Sequence, residues 1–328
     1  MPKKTLIKTI HDTLWDLMKE DDRVIVLGED VGVRGGVFRA TDGFLEEFGE
    51  ERVVDTPLAE SSIVGHAIGM ALGGLLPVAE IQFADFIFPA FNQIVSEAAK
   101  LRYRSNGDFN CPIVIRAPYG GGVHGALYHS QSVEAFFAHV PGLKVIMPST
   151  PHDAKGLLRA ALYDPDPVLY FEHKKCYRMI QGEVPDASYE VEIGRAEVKR
   201  EGDRLTVISY GLMLHHCLEA ARRLSEEEGL EAEVVDPRTV APMDWDSVLA
   251  SVRRTSKAMV VTEDNRTLGV GAEISARIAE ELFYDLDAPV VRIGAPDVPA
   301  MGFAKPMEEF FLPSADKIYR EMLRLARS

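Results

Sequence analysis

The sequence predicts an α/β protein: a mostly parallel, doubly wound sheet domain followed by a smaller α/β domain. Three observations carry that expectation. Short apolar runs alternate with helix-length segments, the pattern of parallel strands joined by crossover helices. The alternation lapses after residue 171 and resumes at 205. The 328 residues also exceed the length at which a single hydrophobic core usually stops growing. The boundaries that follow are a first domain over 1–185, a linker over 186–204 and a second domain over 205–328.

In chain order, the apolar runs at 24–28, 78–81, 113–117, 143–147 and 168–171 read as strands, with helices at 61–75, 88–103, 132–139 and 151–163 between them. One helix start is well signalled: Thr150 as N-cap, Pro151 at the first helical position and Asp153 in the first turn. In the helix over 61–75, Ile63, Val64, Ala67, Ile68, Ala71, Leu72 and Leu75 recur at three- to four-residue spacing, so Glu60 falls just ahead of a helix N-terminus. Gly182, Pro185, Gly194 and a charged run at 197–204 interrupt the pattern. Strands at 205–209, 232–236, 258–262 and 290–293 then alternate with helices at 211–227, 244–253 and 272–282.

Composition narrows the function. A net charge of −15 with no basic stripe argues against nucleic acid, whose affinity rests on clustered Lys and Arg. Three dispersed cysteines, Cys111, Cys176 and Cys217, suggest neither a disulfide framework nor a zinc site, and a reducing compartment fits them. The N-terminus lacks the apolar run of a secretory signal, and the most apolar stretch, 63–81, is interrupted by His66, Pro77 and Glu80. No membrane association and a cytoplasmic location are expected.

Three constellations could carry chemistry. In the first, Glu60 precedes Gly65, Gly69 and Gly73, glycines that line one side of a helix and let another backbone approach. By itself this suits a packed core helix with an acid at its positive dipole end as well as a functional carboxyl. The second is the aromatic-rich stretch 81–91, leaving a strand, most of which reads as core. The third is the glycine-rich loop 116–131 with His124 and His129, which lacks the Lys-Ser/Thr ending of a nucleotide-binding P-loop.

The spacing of Glu60, Gly65 and Gly69 matches the aminopyrimidine-binding motif of thiamine-diphosphate enzymes, and the wider block DTPLAESSIVGHAIGMALGG at 55–74 resembles the beta subunits of 2-oxo acid dehydrogenase complexes. Similar blocks recur along the chain: LGEDVG at 27–32, GGVFR at 35–39, DPRTVAP at 236–242 and APD at 295–297. The resemblance implies a pyrimidine-type thiamine-diphosphate-binding domain followed by a transketolase-C-terminal-like domain. It implies that Glu60 polarises the aminopyrimidine ring, that Phe86 stacks on it, and that Gln82 and Leu58 lie against it. Phe86 stands where relatives often have Tyr, and His66 where they have an apolar residue. His129, in the triplet His129-Ser130-Gln131, matches the histidine that assists acyl transfer to lipoamide. Relatives also hold a structural potassium near the positions of Cys111, Ile113, Ala161, Asp164 and Asp166.

The Gly-Asp-Gly motif that binds the divalent metal in such enzymes is missing; Ser105-Asn106-Gly107-Asp108-Phe109 is the nearest string. The resemblance therefore implies that an alpha subunit supplies the magnesium ligands and the diphosphate site in an α2β2 heterotetramer. That assembly would dock on an acyltransferase core through the core's peripheral binding domain and serve its lipoyl domain. The stretches 83–91 and 125–137 look like branched-chain members, so the expected activity is that of a 3-methyl-2-oxobutanoate dehydrogenase (lipoamide). Pyruvate and acetoin are the alternative substrates. A non-catalytic docking scaffold and a self-sufficient transketolase-like enzyme are the competing readings, disfavoured by the retained Glu60, Phe86 and His129 and by the missing metal motif respectively.

Overall fold

A computed structural model describes residues 2–328 and divides into two compact units. One comprises the residues up to Tyr119 together with Phe136–Ile193, the other Gly120–Ala135 together with Gly194–Ser328.

In the first unit the strands of the main sheet are β1 (Val24–Gly28), β2 (Val53–Asp55), β3 (Leu76–Glu80), β4 (Val114–Tyr119), β5 (Lys144–Ile146) and β6 (Val168–His173). They run parallel in the order β5-β6-β4-β3-β1-β2. Every residue of β1, β3, β4 and β6 is buried, as expected of a parallel sheet covered on both faces. The covering helices include α1 (Leu6–Glu20), which buries Leu6, Ile10, Leu14 and Leu17, α2 (Glu60–Leu72) and α3 (Pro151–Leu162). Thr150 caps α3 as predicted, its hydroxyl accepting the Asp153 N–H at 3.2 Å.

Two expected helices differ. The segment 88–103 is helical throughout but not uniformly α: the 3₁₀ turn Phe88–Ala90 runs through right-handed residues 91 and 92 into a π-helical stretch, Gln93–Ala98, and an α-helical stretch, Ala99–Arg104. Pro89 sits in the first turn of this run, where a missing N–H removes no intrahelical hydrogen bond. The expected helix at 132–139 shortens to Glu134–Ala138.

The second unit contains β7 (Glu197–Arg200), β8 (Leu205–Ser209), β9 (Ala232–Asp236), β10 (Ala258–Asn265) and β11 (Val291–Ala295), in the order β11-β10-β8-β9-β7. The strands are parallel except β7, which is antiparallel to β9 with a register shift at Val234/Val235. The expected linker over 186–204 thus contains a sheet edge. Its charges suit that place: Arg200 pairs with Glu231 at 2.5 Å and Arg238 with Glu197, and edge strands commonly carry charge.

The helices of this unit are α4 (Gly211–Glu228), α5 (Trp245–Thr255), α6 (Val270–Glu281), α7 (Lys305–Phe311) and α8 (Ala315–Ala326). The last two were not read from the sequence. α8 packs on α4, where the Arg223 guanidinium lies 4.3 Å from the centre of the Tyr319 ring. Among the described residues no helix is long and apolar enough to cross a membrane.

The expected first domain over 1–185 needs a further correction, because 120–135 groups with the second unit. The physical reason is hydrogen bonding. Gly121 N–H donates to Glu263, Gly122 N–H to Glu308, and the Tyr210 hydroxyl to Glu134.

Candidate active site

Glu60 is the first residue of α2 rather than the residue before it. No side chain caps this helix at Ala59, so the acid itself occupies the positive end of the dipole. It is 7% exposed, and among the described residues its carboxylate has no hydrogen-bond donor and no cation partner. A buried carboxylate is normally satisfied.

The surroundings are built by the carboxyl ends of parallel strands, where ligands bind in open α/β sheets. Glu29 follows β1, and its carboxyl is raised above the ordinary range by burial, with the charge of Glu60 adding to the shift. Gln82, just beyond β3, has its amide nitrogen 3.3 Å from both the Glu29 carbonyl and an Asp30 carboxylate oxygen. Phe86 is half-buried and held edge-on to Phe83, ring centres 5.7 Å apart. Phe83 in turn meets Phe38, which meets Tyr177. Leu58 is 79% exposed, an apolar side chain left open two residues before Glu60. An unsatisfied acid, a half-buried ring, an amide and an open apolar side chain fit a flat heteroaromatic ring with polar edges.

Under this cluster lies a buried ionic network that pins three strands. Arg116 of β4 donates to Glu80 of β3 at 2.6 Å and to both oxygens of Glu172 of β6 at 2.6 and 2.8 Å, and the Tyr177 hydroxyl also meets Glu172. Burial works against the Arg116 charge, yet Glu172 and Glu80 hold its pKa well above the ordinary value. Burial raises the Glu80 carboxyl, with Arg116 opposing. Gly36, in the left-handed region at φ 76°, lets the loop after β1 pass close by; a Cβ there would lie 3.1 Å from a Glu80 oxygen. Sequence reasoning missed both Glu29 and this network. The only signal for Glu29 was its position one residue beyond a strand's carboxyl end.

The glycines of α2 meet little else among the described residues. A Cβ on Gly69 would meet nothing within 4 Å, and one on Gly65 only the Gln93 side chain at 4.0 Å. Ser62, Gly65, His66, Gly69, Met70 and Leu75 line an open, mainly apolar groove there.

His129 lies in the second unit, after the 3₁₀ turn Ala126–Tyr128, and is half-buried. Leu127 and Tyr128 beside it are exposed. The potassium candidates lie together in the first unit but are engaged otherwise. Asp164 pairs with Lys144 at 2.5 Å and Asp166 with Arg102 at 3.1 Å. The carbonyls of Cys111, Ile113 and Ala161 accept the N–H groups of Ile113, Val168 and Asp164. A carbonyl oxygen has two lone pairs, so one N–H contact leaves each of these oxygens a further acceptor position. Among the described residues no group of three or more His, Cys, Asp or Glu is placed to hold a metal ion.

Comparison with known proteins also divides the chain in two, with 120–135 inside the first match. The transketolase pyrimidine-binding domain matches residues 3–179 and the transketolase C-terminal domain residues 194–318. The chain is 58% identical over 326 residues to the 2-oxoisovalerate dehydrogenase subunit beta of Bacillus subtilis (strain 168), covering 99% of each. It is 47% identical over 327 residues to the pyruvate dehydrogenase E1 component subunit beta of the same organism, covering 100% of this chain and 98% of that one. A solved split-gene transketolase, an inactive beta4 tetramer, superposes with a TM-score of 0.78 at 24% identity over 98% of both chains, a likeness of fold.

Proposed function

We propose that this chain, which belongs to the transketolase-like beta subunits of the 2-oxo acid dehydrogenases, supplies the cofactor-activating carboxylate for oxidative decarboxylation of branched-chain 2-oxo acids. The observation that carries the reading is Glu60, buried at the start of α2 with no hydrogen-bond or ion-pair partner among the described residues. Thiamine diphosphate, when bound, supplies the carbon nucleophile of the reaction. Glu60 would hold a proton at a nitrogen of its aminopyrimidine ring. Phe86 would cover one face of that ring, with Gln82 and Leu58 bordering it. His129 would serve proton transfer as the acyl group passes to a lipoyl group.

The chain offers no diphosphate or magnesium site of its own motif type, so an alpha subunit in an α2β2 assembly is the proposed source of both. The peripheral binding and lipoyl domains of an acyltransferase core are the proposed further partners. The three cysteines are buried and outside any disulfide, which suits a reducing cytoplasm. Branched-chain substrates are favoured over pyruvate by the 58% against 47% identity to the two Bacillus subtilis subunits. Part of the pocket belongs to the alpha chain, and one methylene discriminates by only about 1–3 kcal/mol.

The test is co-expression with the alpha subunit and measurement of 2-oxo-acid-dependent reduction of an artificial electron acceptor. 2-Oxoisovalerate is expected to give the highest kcat/KM. Faster turnover of pyruvate or acetoin would overturn the substrate class, and no activity with any 2-oxo acid would overturn the enzyme reading itself.

A further inference from the structure

The glycine-rich segment after β4 has the backbone of an anion-binding loop, and its anions come from the chain itself. Gly120, Gly122, His124 and Ala126 lie at positive φ (84°, 81°, 57° and 55°), alternating with residues that do not, a geometry that turns successive N–H groups toward a concavity. Gly121 N–H donates to a Glu263 oxygen at 2.6 Å. Gly122 and His124 N–H donate to one oxygen of Glu308 at 2.9 and 3.1 Å, and the other oxygen lies 3.1 Å from His124 Nδ1. Glu308, on α7, is 5% exposed. Hydrogen bonds from N–H to a charged carboxylate are roughly twice as strong as neutral ones.

This anchored arc leads directly to His129. Gly120 N–H closes the base of the loop on the Gln131 carbonyl at 2.9 Å. A Cβ on Gly125 would lie 2.5 Å from the His129 carbonyl oxygen and 2.8 Å from the His129 Cβ, so the backbone at 125 lies against His129 with no room to spare. Where residues 122–125 sit decides where His129 sits.

We infer that Glu308 is a positioning residue: its carboxylate fixes the 120–131 loop and, through Gly125, the placement of His129. The catalytic half of this inference rests on the role proposed above for His129. The residue acts through backbone N–H groups, so an amide oxygen can replace the carboxylate but a methyl group cannot.

The experiment uses the assembled complex with its alpha subunit, thiamine diphosphate and magnesium, comparing wild type, Glu308→Gln, Glu308→Ala and His129→Ala. Hydrogen exchange of a peptide spanning 120–131 reads the loop; acylation of a lipoyl domain and dye-linked decarboxylation read the chemistry. In Glu308→Ala the Gly122 and His124 amides are expected to exchange at least about tenfold faster, the effect of losing charge-assisted bonds. Lipoyl acylation is expected to fall by roughly 10- to 100-fold, as for a misplaced group, with KM for the 2-oxo acid unchanged. Glu308→Gln is expected to restore most of both. Unchanged exchange in Glu308→Ala overturns the inference, as does faster exchange with normal acylation while His129→Ala is impaired. Normal acylation by His129→Ala removes the role of His129 instead, and loop exchange alone then decides whether Glu308 holds the loop. Should Glu308→Ala fail to assemble, Gly125→Ala places a Cβ against His129 without touching Glu308, and full acylation by that variant likewise overturns the inference.

Discussion

Glu60, largely buried at a helix N-terminus, has its charge favoured by the dipole and has no internal hydrogen-bond donor among the described residues. Replacing Glu60 by Gln breaks no internal hydrogen bond, so unfolding free energy should change by less than about 1 kcal/mol. Dye-linked decarboxylation should fall by about 10²- to 10⁴-fold, the usual weight of a general acid or base. Retained activity at normal cofactor occupancy would remove Glu60 from its role. Arg116 gives the contrasting case. Arg116→Met leaves Glu80 and Glu172 buried without their cation, which should cost about 3–5 kcal/mol in denaturant unfolding. The place of Glu60 at a helix start was legible in the sequence because the apolar spacing that marks the helix is local. Glu29 was not, since its approach to Glu60 depends on where β1 ends relative to α2, and the Arg116 network depends on the lateral order of β3, β4 and β6.

At the scale of elements, α2 presents two different faces. Ile63, Val64, Ala67 and Ala71 are buried, while Gly65 and Gly69 open onto the apolar groove. Under the proposed function, the alpha subunit covers that groove. Gly69→Leu should leave the isolated beta chain as stable as before or more so, because glycine in a helix costs roughly 1 kcal/mol relative to a good helix former. Assembly with the alpha subunit should be lost, read as a shift from heterotetramer to free chains in size-exclusion chromatography with light scattering. Normal assembly would place the interface elsewhere. Periodicity revealed this helix and its apolar face, but not that the glycines face open space, because spacing alone does not say what approaches. It also anticipated the helical run at 88–103, but not the π-helical stretch within it, which hydrophobic spacing does not announce.

For the whole chain, the division into two units was legible because the strand–helix alternation lapses and resumes. The passage of 120–135 into the second unit was not legible, since it rests on partners 142 and 186 residues away. Those partners belong to an acidic interior that a net charge of −15 does not reveal. Glu134, Glu263 and Asp264 are all buried, and one oxygen each of Glu134 and Asp264 has no hydrogen-bond partner. Burial raises the Glu134 carboxyl well above its ordinary range, with the charge of Asp264 adding. Burial also raises Asp264 from 3.8 to about 6, with Asn265 N–H opposing and Glu263 adding. The folded state therefore holds this proton to higher pH than the unfolded state. Stability falls as pH rises from about 3.8 through about 6, and the penalty is fully present above that window. Asp264→Asn removes the ionisation, so it should stabilise the chain at pH 7.5 by up to roughly 2–3 kcal/mol and bring no comparable gain near pH 4. Self-repulsion of the acidic surface also rises with pH, but it is common to both proteins and cancels in their difference. Denaturant unfolding of wild type and variant across pH 4–8 reads Asp264 together with its effect on Glu134, and parallel pH dependences would show that Asp264 is not a group held protonated by the fold.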